Sequence, residues 1–527
     1  MASQEECSTS AKVVRTEQKE IHTVSGSTTE GTCEEIALKE RFSLLSTIGI
    51  QFSLAAAPLA IGSYANVVQG IGGGPFLFWG TLVACVFQTL VCLSVAELAS
   101  SFPHTLAMSH WAAQLAPVGW ERFFSYWTAS VTTLQTQCDN AGSWLLTSYT
   151  ILATVTIFSD LEYERTNWQC YLTICACVAA SCVVNLTPRL LGGFAKLTTV
   201  MVIIINSGAI FQAVALLVRA HPKPSPTTVF FDVTNETGWS SLGVVFFFAM
   251  LPGVGTVGGF NYICHLTEEV PRPGRTIPIV LVSVALLASV TVLLMIIVLL
   301  FCIVNPASLN DPIGGMLISQ ILWDGYSSKV LSGINMLIVA IVFVIGGSGF
   351  LTCSSRMFWT FSNHGGLPLS RWIGRINSKT QIPDVAVLCT ALICLLICLL
   401  QLGPSTVLNA ILGFSFLSGG LGYSIPIWLV IIRGRSLLPE DRYFNLGSFG
   451  LLINILSALW LLISCIFFAF PSYLPVTADN MNYGAPVFFG LLSLFIPNWF
   501  FHGKKNYHVP APLETAGISH RRNLGCA

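Results

Sequence analysis

Residues 277–304 read IPIVLVSVALLASVTVLLMIIVLLFCIV and contain no charged side chain. A helix needs about 20 apolar residues to cross the roughly 30 Å hydrocarbon core of a bilayer. The apolar residues are continuous rather than alternating, so the stretch does not fit a strand of a membrane barrel. It therefore predicts a helix that spans a membrane.

Eleven further apolar stretches lie before and after this one in the chain. The 527-residue chain is 53% apolar and 9% charged, whereas soluble proteins carry about 25% charged residues. The pattern predicts an all-α membrane protein with twelve transmembrane helices, of which 277–304 is the seventh. The other spans, in chain order, are 43–69, 75–98, 123–157, 168–188, 194–218, 241–264, 329–360, 384–402, 405–432, 447–470 and 484–501.

Composition also excludes several classes of function. The net charge is zero, so we expect no nucleic-acid partner. The 17 cysteines are scattered, mostly within apolar runs, where cysteine behaves as a small hydrophobe. The chain has no cluster with metal-site spacing and no HExxH or GxSxG motif. We therefore expect no metal, no cofactor and no enzymatic activity.

The charges between the spans predict the orientation in the bilayer. Residues 1–41 form a polar tail whose composition predicts disorder, and residues 503–527 form a second tail. With the N-terminus in the cytosol, the outer loops hold only four of the 25 Lys and Arg residues. This is the bias described by the positive-inside rule. Both tails are therefore predicted to be cytosolic.

The predicted outer loop at 219–240 supports this orientation. It contains Asn235-Glu236-Thr237, which is a glycosylation acceptor pattern. Because glycans are added on the outer side, Asn235 is predicted to be the glycosylated residue.

Two spans carry interruptions that indicate a binding site. Span 1 contains AAAP at 55–58, and span 6 contains PGVGTVGG at 252–259. Broken helices at corresponding positions of two halves point to a transporter site, because lipid cannot satisfy unwound backbone. The density of glycine favours a true break in span 6. An ordinary Pro/Gly kink is an equal alternative in span 1.

The exposed backbone of these breaks is the predicted solute-binding surface. Half-helix ends offer amide donors for a carboxylate and carbonyls for an ammonium group. Phe260 is a candidate to cover a cationic headgroup, with core packing as the alternative. The backbone candidates are Ala56, Ala57, Gly62, Gly253, Gly255 and Thr256.

Asp139 is the one acid that we place deep within a span. Counting from Arg122 at about 1.5 Å per residue, it lies roughly 25 Å along span 3. Gln135 lies one helical turn before it, in a polar stripe that continues through Thr128, Thr132 and Ser143. An intramembrane acid is a functional candidate, so Asp139 is predicted to pair with a substrate cation or carry a proton. A structural hydrogen bond or a place near the outer interface are the alternatives.

Several short motifs together resemble a known family. They are AELAS at 96–100, TNETGW at 234–239, HLTEEV at 265–270, SSRM at 354–357, GGLP at 365–368 and LPVTADNMNY at 474–483. The chain resembles the amino acid–polyamine–organocation superfamily, in the branch of fungal GABA and choline permeases. The resemblance implies a leucine-transporter-type fold with two inverted five-helix repeats, at 42–218 and 241–432, and two extra helices within 433–502.

The resemblance also has departures. After Pro103 the family usually has two glycines and then an aromatic residue, whereas this chain has Leu106, Ala107 and Ser109. In span 6 the family often has an aspartate at the position of Asn261. We count Asn261 with the predicted binding residues. Substrate and ion are therefore not carried over directly, and a hydroxyl such as Ser348 keeps sodium coupling open.

Charges at the inner ends of the spans are candidates for a gate or for proton coupling. They are Glu97, His265, Glu268 and Arg356, together with Asp139. The alternative is that these side chains simply meet water at the interface, above all Glu268 and Glu269.

The predicted function is that of a secondary active transporter. The resemblance implies import of an amino acid, GABA, choline or a related small amine by proton symport and alternating access. It places the protein in the plasma membrane, with the vacuolar membrane as the alternative. A nutrient sensor that keeps the transporter fold is the competing hypothesis, motivated by Leu106 and Ala107.

Overall fold

The computed structural model describes residues 41–64, 70–403, 407–477 and 480–509. The predicted disordered tail and most of the second tail fall at 1–40 and 510–527, outside the described residues. The described start of the second tail, 503–509, is ordered, and Tyr507 is fully buried in an apolar cluster with Leu106, Tyr126 and Phe361.

Within these described ranges, twelve helices are long and apolar enough to cross a membrane, as the sequence predicted. The described residues form no β-strand, apart from one isolated bridge between Ile71 and Asn235. Spans 1 to 12 are, in order, Leu44–Tyr64, Gly73–Ser101, Glu121–Phe158, Asn167–Leu186, Pro188–Arg219, Leu242–Cys264, Pro273–Phe301, Lys329–Asn363, Asp384–Leu402, Gly413–Arg433, Gly447–Phe467 and Gly484–Asn506.

The spans differ in how much of their surface meets lipid. Spans 1 and 3 are the most buried and span 12 is the least. Span 3 packs against spans 8 and 10, span 7 packs along span 2, and span 1 packs along span 5. This central position of span 3 explains its polar stripe, since polar groups inside a bundle avoid lipid.

Span 1 is broken at a single residue. Ala56 has φ 41° and ψ 32°, the left-handed region, between the helices Leu44–Ala55 and Ala57–Tyr64. The backbone N–H of Ala56 still donates to the Phe52 carbonyl at 2.7 Å. The chain therefore turns at one residue, in a backbone conformation that residues with a side chain seldom adopt. The interruption of span 1 is a break rather than a proline kink.

Span 6 is broken at the end of its glycine-rich stretch. The helix Leu251–Val257 stops at Gly258, which is extended, and Gly259 follows with φ 75°. A new helical turn begins at Asn261. Glycine is needed at this point because φ is positive, so the second half of the span can take its own direction.

Both described chain ends lie on one face of the helix bundle, which we call the N-terminal face. Arg41 donates to the carbonyl of Thr380, in the loop after span 8, at 2.9 Å. The Arg122 guanidinium, at the start of span 3, donates to the carbonyl of Tyr507 at 2.7 Å. The short helix Met108–Leu115 also packs against spans 3 and 10 here.

Candidate functional site

A cavity of about 120 Å³ lies beside the two broken spans. Span 1 contributes Leu54 and Ala55 just before its break, and span 6 contributes Gly255, Gly258 and Gly259 around its own break. Spans 2, 3, 8, 10 and 11 complete the wall. The cavity therefore has room for a small solute next to irregular backbone, as in transporter sites.

One carboxylate faces this cavity. Among the described residues that line it, Asp139 alone is charged. The Tyr262 hydroxyl, from the second half of span 6, donates a hydrogen bond to Asp139 Oδ2. Gln135 also lines the cavity, one turn earlier on span 3. The site is therefore electronegative and suits a positively charged group.

A second polar chain links three spans behind the carboxylate. The amide of Asn261 donates to Gln135 Oε1 at 3.4 Å, and the Tyr423 hydroxyl donates to Asn261 Oδ1 at 2.6 Å. Asn261 is fully buried. It thus binds spans 3, 6 and 10 together at the cavity, and it adds no charge where the family often has an aspartate.

Aromatic side chains form much of the remaining wall. The Tyr262 ring meets Phe350 edge-on, with centroids 4.9 Å apart. Rings attract a cation through their faces, so this wall can take up a cation that the carboxylate neutralises. The aromatic lining residues are Tyr64, Tyr262, Phe350, Phe416, Tyr423, Trp460 and Phe468.

The predicted residues of span 1 lie near the cavity but not in its wall. Ala56 lines a smaller neighbouring cavity of about 40 Å³, which shares Ala55 and Tyr64 with the first. Gly62 packs against Ile318, where an added Cβ would come within 2.6 Å of a side-chain carbon. Ala57 is fully buried. Their part in binding stays a prediction.

The predicted residues of span 6 divide between the cavity and the packing around it. Gly255 lines the cavity. Gly253 lets span 6 approach span 2, since an added Cβ would meet Thr81 and Ala84 at 2.8 Å. The Thr256 hydroxyl donates to its own helix, at the Pro252 carbonyl.

Phe260 points away from the cavity toward span 7. It lines a small space with Leu281, Val284 and Ala288. The aromatic residues that do line the cavity were not predicted from the sequence. Tyr262 had one detectable signal, its position three residues after the Gly258-Gly259 break.

Charged residues of the N-terminal face form two separate clusters. Arg356 Nε lies 2.7 Å from Glu269 Oε1, and each side chain is 1% exposed. Arg41 lies 3.7 Å from the other oxygen of Glu269. Glu269 is therefore buried and paired, and it does not face water as the alternative for this residue supposed.

The second cluster is built on Glu97. Its carboxylate accepts from Arg435 at 2.7 Å and from Arg442 at 3.2 Å, and the backbone N–H of Leu446 completes the set at 3.0 Å. Glu97 thus joins the end of span 2 to the loop after span 10, away from Arg356.

His265 and Glu268 lie beside these clusters and contact the loop after span 2. His265 Nδ1 is 2.8 Å from the Thr105 carbonyl oxygen, and the Thr105 hydroxyl donates to Glu268 Oε1 at 2.9 Å. Burial lowers the pKa of His265 to about 4, so its ring is neutral near pH 7.

The departures from the family pattern lie in the same loop. Ala107 has φ 46° and ψ −115°, a backbone conformation that favours glycine. Leu106 is fully buried and accepts a hydrogen bond from the Ser109 hydroxyl at its carbonyl, at 2.9 Å. The loop therefore has the backbone conformation of a glycine turn, although the residue at the turn is Ala107.

Two further candidates have defined surroundings. Asn235 is exposed, in the loop between spans 5 and 6, and its Oδ1 accepts the Thr237 hydroxyl at 2.6 Å. Ser348 on span 8 donates to the Ser181 hydroxyl on span 4 at 2.8 Å. The Ser348 hydroxyl therefore bridges spans 4 and 8, and its part in sodium coupling stays a prediction.

Comparison with known proteins assigns the family. The sequence model of the family described as "Amino acid permease" matches residues 42–492. The chain is 28% identical to a choline transporter of Saccharomyces cerevisiae, over 93% of this chain and 86% of the relative. It is also 28% identical to the GABA-specific permease of that yeast, over 90% and 83% of the two chains. An amino-acid permease BAT1 homolog of Oryza sativa is 26% identical over 90% and 93%.

These relatives are permeases and transporters rather than enzymes, and they cover almost the whole membrane region. The chain therefore belongs to the amino acid permease family of the amino acid–polyamine–organocation superfamily.

Proposed function

We propose that this transporter imports a small solute with a cationic amine group. One observation carries the proposal: Asp139 is the only charged group among the described residues of a cavity whose wall is otherwise uncharged and rich in aromatic rings and glycine. A carboxylate and ring faces are the two groups that bind ammonium and quaternary ammonium ions best. Relatives described as choline and GABA transporters agree with such a solute.

The cavity favours a solute whose charge is positive over one that is balanced. A zwitterion such as GABA brings a carboxylate, yet no lysine or arginine lines the described part of the cavity. Its carboxylate would have to rely on backbone amides at the helix breaks. Choline and related monocations are therefore the solutes to test first, with GABA and amino acids next.

The mechanism we propose is alternating access driven by a proton gradient. The breaks at Ala56 and Gly258-Gly259 let half-helices of spans 1 and 6 move separately, in two inverted repeats of five spans each. Asp139 would carry the coupled proton or hold the solute, because it is the acidic group that faces the cavity. We place the protein in the plasma membrane with its N-terminal face, and so both termini, in the cytosol.

Uptake by the purified protein in liposomes tests this proposal. We expect saturable, gradient-stimulated uptake of one member of a labelled panel of choline, GABA, amino acids and polyamines. Asp139→Asn should abolish that uptake, whereas Asp160→Asn should leave it unchanged, because Asp160 is exposed and pairs with Lys329 in a loop.

Two results would contradict the proposal. Wild-type uptake that Asp139→Asn leaves intact, with the same pH dependence, would remove this residue from the mechanism. Absence of uptake of every panel member by folded protein would instead favour the sensor hypothesis.

A further inference from the structure

A basic groove opens on the N-terminal face, apart from the solute cavity. Its volume is about 570 Å³, and it lies between the starts of spans 1 and 5 and the loop after span 8. Four cations line it, Arg41, Arg189, Lys196 and Lys379, and none of the described lining residues is acidic. The groove therefore has a concentrated positive charge.

In the part of the chain that the structure describes, most of this charge has no acidic partner. The ion pairs between described residues do not include Arg189, Lys196 or Lys379, and all three side chains are exposed. The backbone adds to the field, because span 5 begins at Pro188 beside the groove and a helix N-terminus is electropositive. An anion with several negative charges would reduce the electrostatic repulsion among the cations of the groove.

The surroundings of the groove indicate what the rest of the ligand is. Leu45 on span 1 and Leu197 and Val200 on span 5 are 63%, 39% and 44% exposed, and they stand next to the groove residues Ser46, Lys196 and Thr199 along the chain. Such apolar exposure at the ends of membrane spans meets lipid. A ligand seated here meets cations at one end and the hydrocarbon layer at the other.

We propose that this groove binds the phosphorylated headgroup of an anionic phospholipid from the leaflet on the N-terminal side. Basic pockets between spans are the form that recognition of lipid headgroups takes in membrane proteins. The acyl chains would lie along spans 1 and 5, and the phosphates would contact Arg189, Lys196 and Lys379.

The bound headgroup would also lie against the buried ion pair of Glu269. Arg41 lines the groove while its guanidinium stands 3.7 Å from Glu269 Oε2. The backbone N–H groups of Arg41 and Phe42 both donate to the Glu269 carbonyl, at 3.0 and 3.1 Å. Phosphate in the groove would compete with Glu269 for Arg41, so the lipid has a direct contact through which to change the inner charge cluster.

The test measures binding and does not depend on the transported solute. Purified full-length protein in neutral detergent is titrated with soluble dioctanoyl phosphatidylinositol 4-phosphate, and the shift in thermal unfolding midpoint gives the apparent affinity. Each surface cation contributes about fivefold to such binding. The triple variant Arg189→Gln/Lys196→Gln/Lys379→Gln should therefore bind about 100-fold more weakly.

Matched controls separate the groove from charge in general. The variant Arg371→Gln/Arg433→Gln/Lys505→Gln makes the same change in charge at three other exposed residues and should bind as the wild type does. Dioctanoyl phosphatidylcholine should give no comparable shift. Equal affinity of the two triple variants, or an equal shift with phosphatidylcholine, would overturn the proposal.

Inorganic phosphate distinguishes a lipid from a free anion. It carries the charge without the acyl chains, so it should neither stabilise the protein at equal concentration nor displace the lipid. If it does both, the ligand is a soluble phosphate and the assignment to a phospholipid is wrong. Lys196→Gln alone, expected to weaken binding about fivefold, repeats the test with a single exposed substitution.

Discussion

The Tyr262 hydroxyl donates a hydrogen bond to the carboxylate of Asp139, and the two residues belong to spans 6 and 3. Tyr262 follows the Gly258-Gly259 break, so its position depends on how the second half of span 6 is set. The charged group of the cavity is therefore tied to the half of span 6 that follows its break. Solute, carboxylate and helix break would respond to one another through this single contact.

Tyr262→Phe removes that contact while keeping the ring. Hydrogen bonds to charged groups contribute about 1.5–3 kcal/mol, so we expect solute affinity to fall roughly 10- to 100-fold. The measurement is the KM of uptake or the Kd of solute binding. Tyr326→Phe is the matched control, because its hydroxyl bonds to the Gln212 carbonyl outside the cavity. Unchanged or tighter binding by Tyr262→Phe would contradict this role.

Arg356→Met should destabilise the protein strongly. It leaves Glu269 buried without its nearest cation, and breaking a buried pair costs about 3–5 kcal/mol. Thermal unfolding in detergent measures the loss. The double variant Arg356→Met/Glu269→Leu should recover much of it, since the buried carboxylate is removed together with its nearest cation, and Arg41 keeps its hydrogen bond to the Thr380 carbonyl. A double variant no more stable than the single one would show that the pair is not the cause.

Ala107→Gly should stabilise the protein by about 1 kcal/mol, because Ala107 has a positive φ that glycine adopts without strain. The unfolding midpoint should rise accordingly. Ala112→Gly is a suitable control, since Ala112 lies inside the helix Met108–Leu115, where glycine costs about 1 kcal/mol. Equal destabilisation by both changes would mean that the loop is not strained at Ala107.

Three histidines of the N-terminal face predict the response of stability to acid. The rings of His104 and His110 stack at 4.4 Å, and His364 lies 5.7 Å from His104. Burial lowers the pKa of His110 and of His364 to about 4, and that of His104 well below its usual range. His508 faces His364 and adds to the effect on it.

The sign of the pH dependence of stability follows from which state, folded or unfolded, binds more protons. Between pH 6.5 and about 4 the unfolded chain protonates these histidines while the folded chain does not, so stability falls as pH is lowered and is level above 6.5. Each histidine contributes at most about 1.4 kcal/mol per pH unit in this window. Unfolding midpoints of wild type and His110→Gln/His364→Gln from pH 7 to 4.5 measure it. The double variant should show the smaller dependence, whereas the exposed His221→Gln should match the wild type.

The sequence predicted the fold far better than the cavity. Apolar runs long enough to span a bilayer mark each helix, so all twelve spans were placed close to their observed ends. Asp139 and Gln135 could be predicted because a polar side chain within a membrane span is energetically costly and therefore indicates a functional site. Phe260 and Tyr262 illustrate the limit: both follow the same glycine pair, yet one faces span 7 and the other the cavity. Only the angle of the half-helix decides between them, and no local pattern encodes it.

Charge partners were equally hard to foresee. Glu268 and Glu269 are adjacent, and only the second is buried against Arg356. Glu97 looked suited to an inner gate, but its partners are contributed by a loop 338 and 345 positions later in the chain. Pairing over such distances depends on how the helices pack, which residue types and spacing do not specify.

The Glu97 cluster also has a consequence for biosynthesis. Ribosomes add about 5–20 residues per second, so roughly 20–70 s pass between the synthesis of Glu97 and that of Arg435, which lies 338 positions later. During that time the Glu97 carboxylate at the end of span 2 lacks the two arginines that pair with it. A chain that ends before the loop after span 10 cannot form these contacts, so the Glu97 cluster assembles only after the first ten spans have been synthesised.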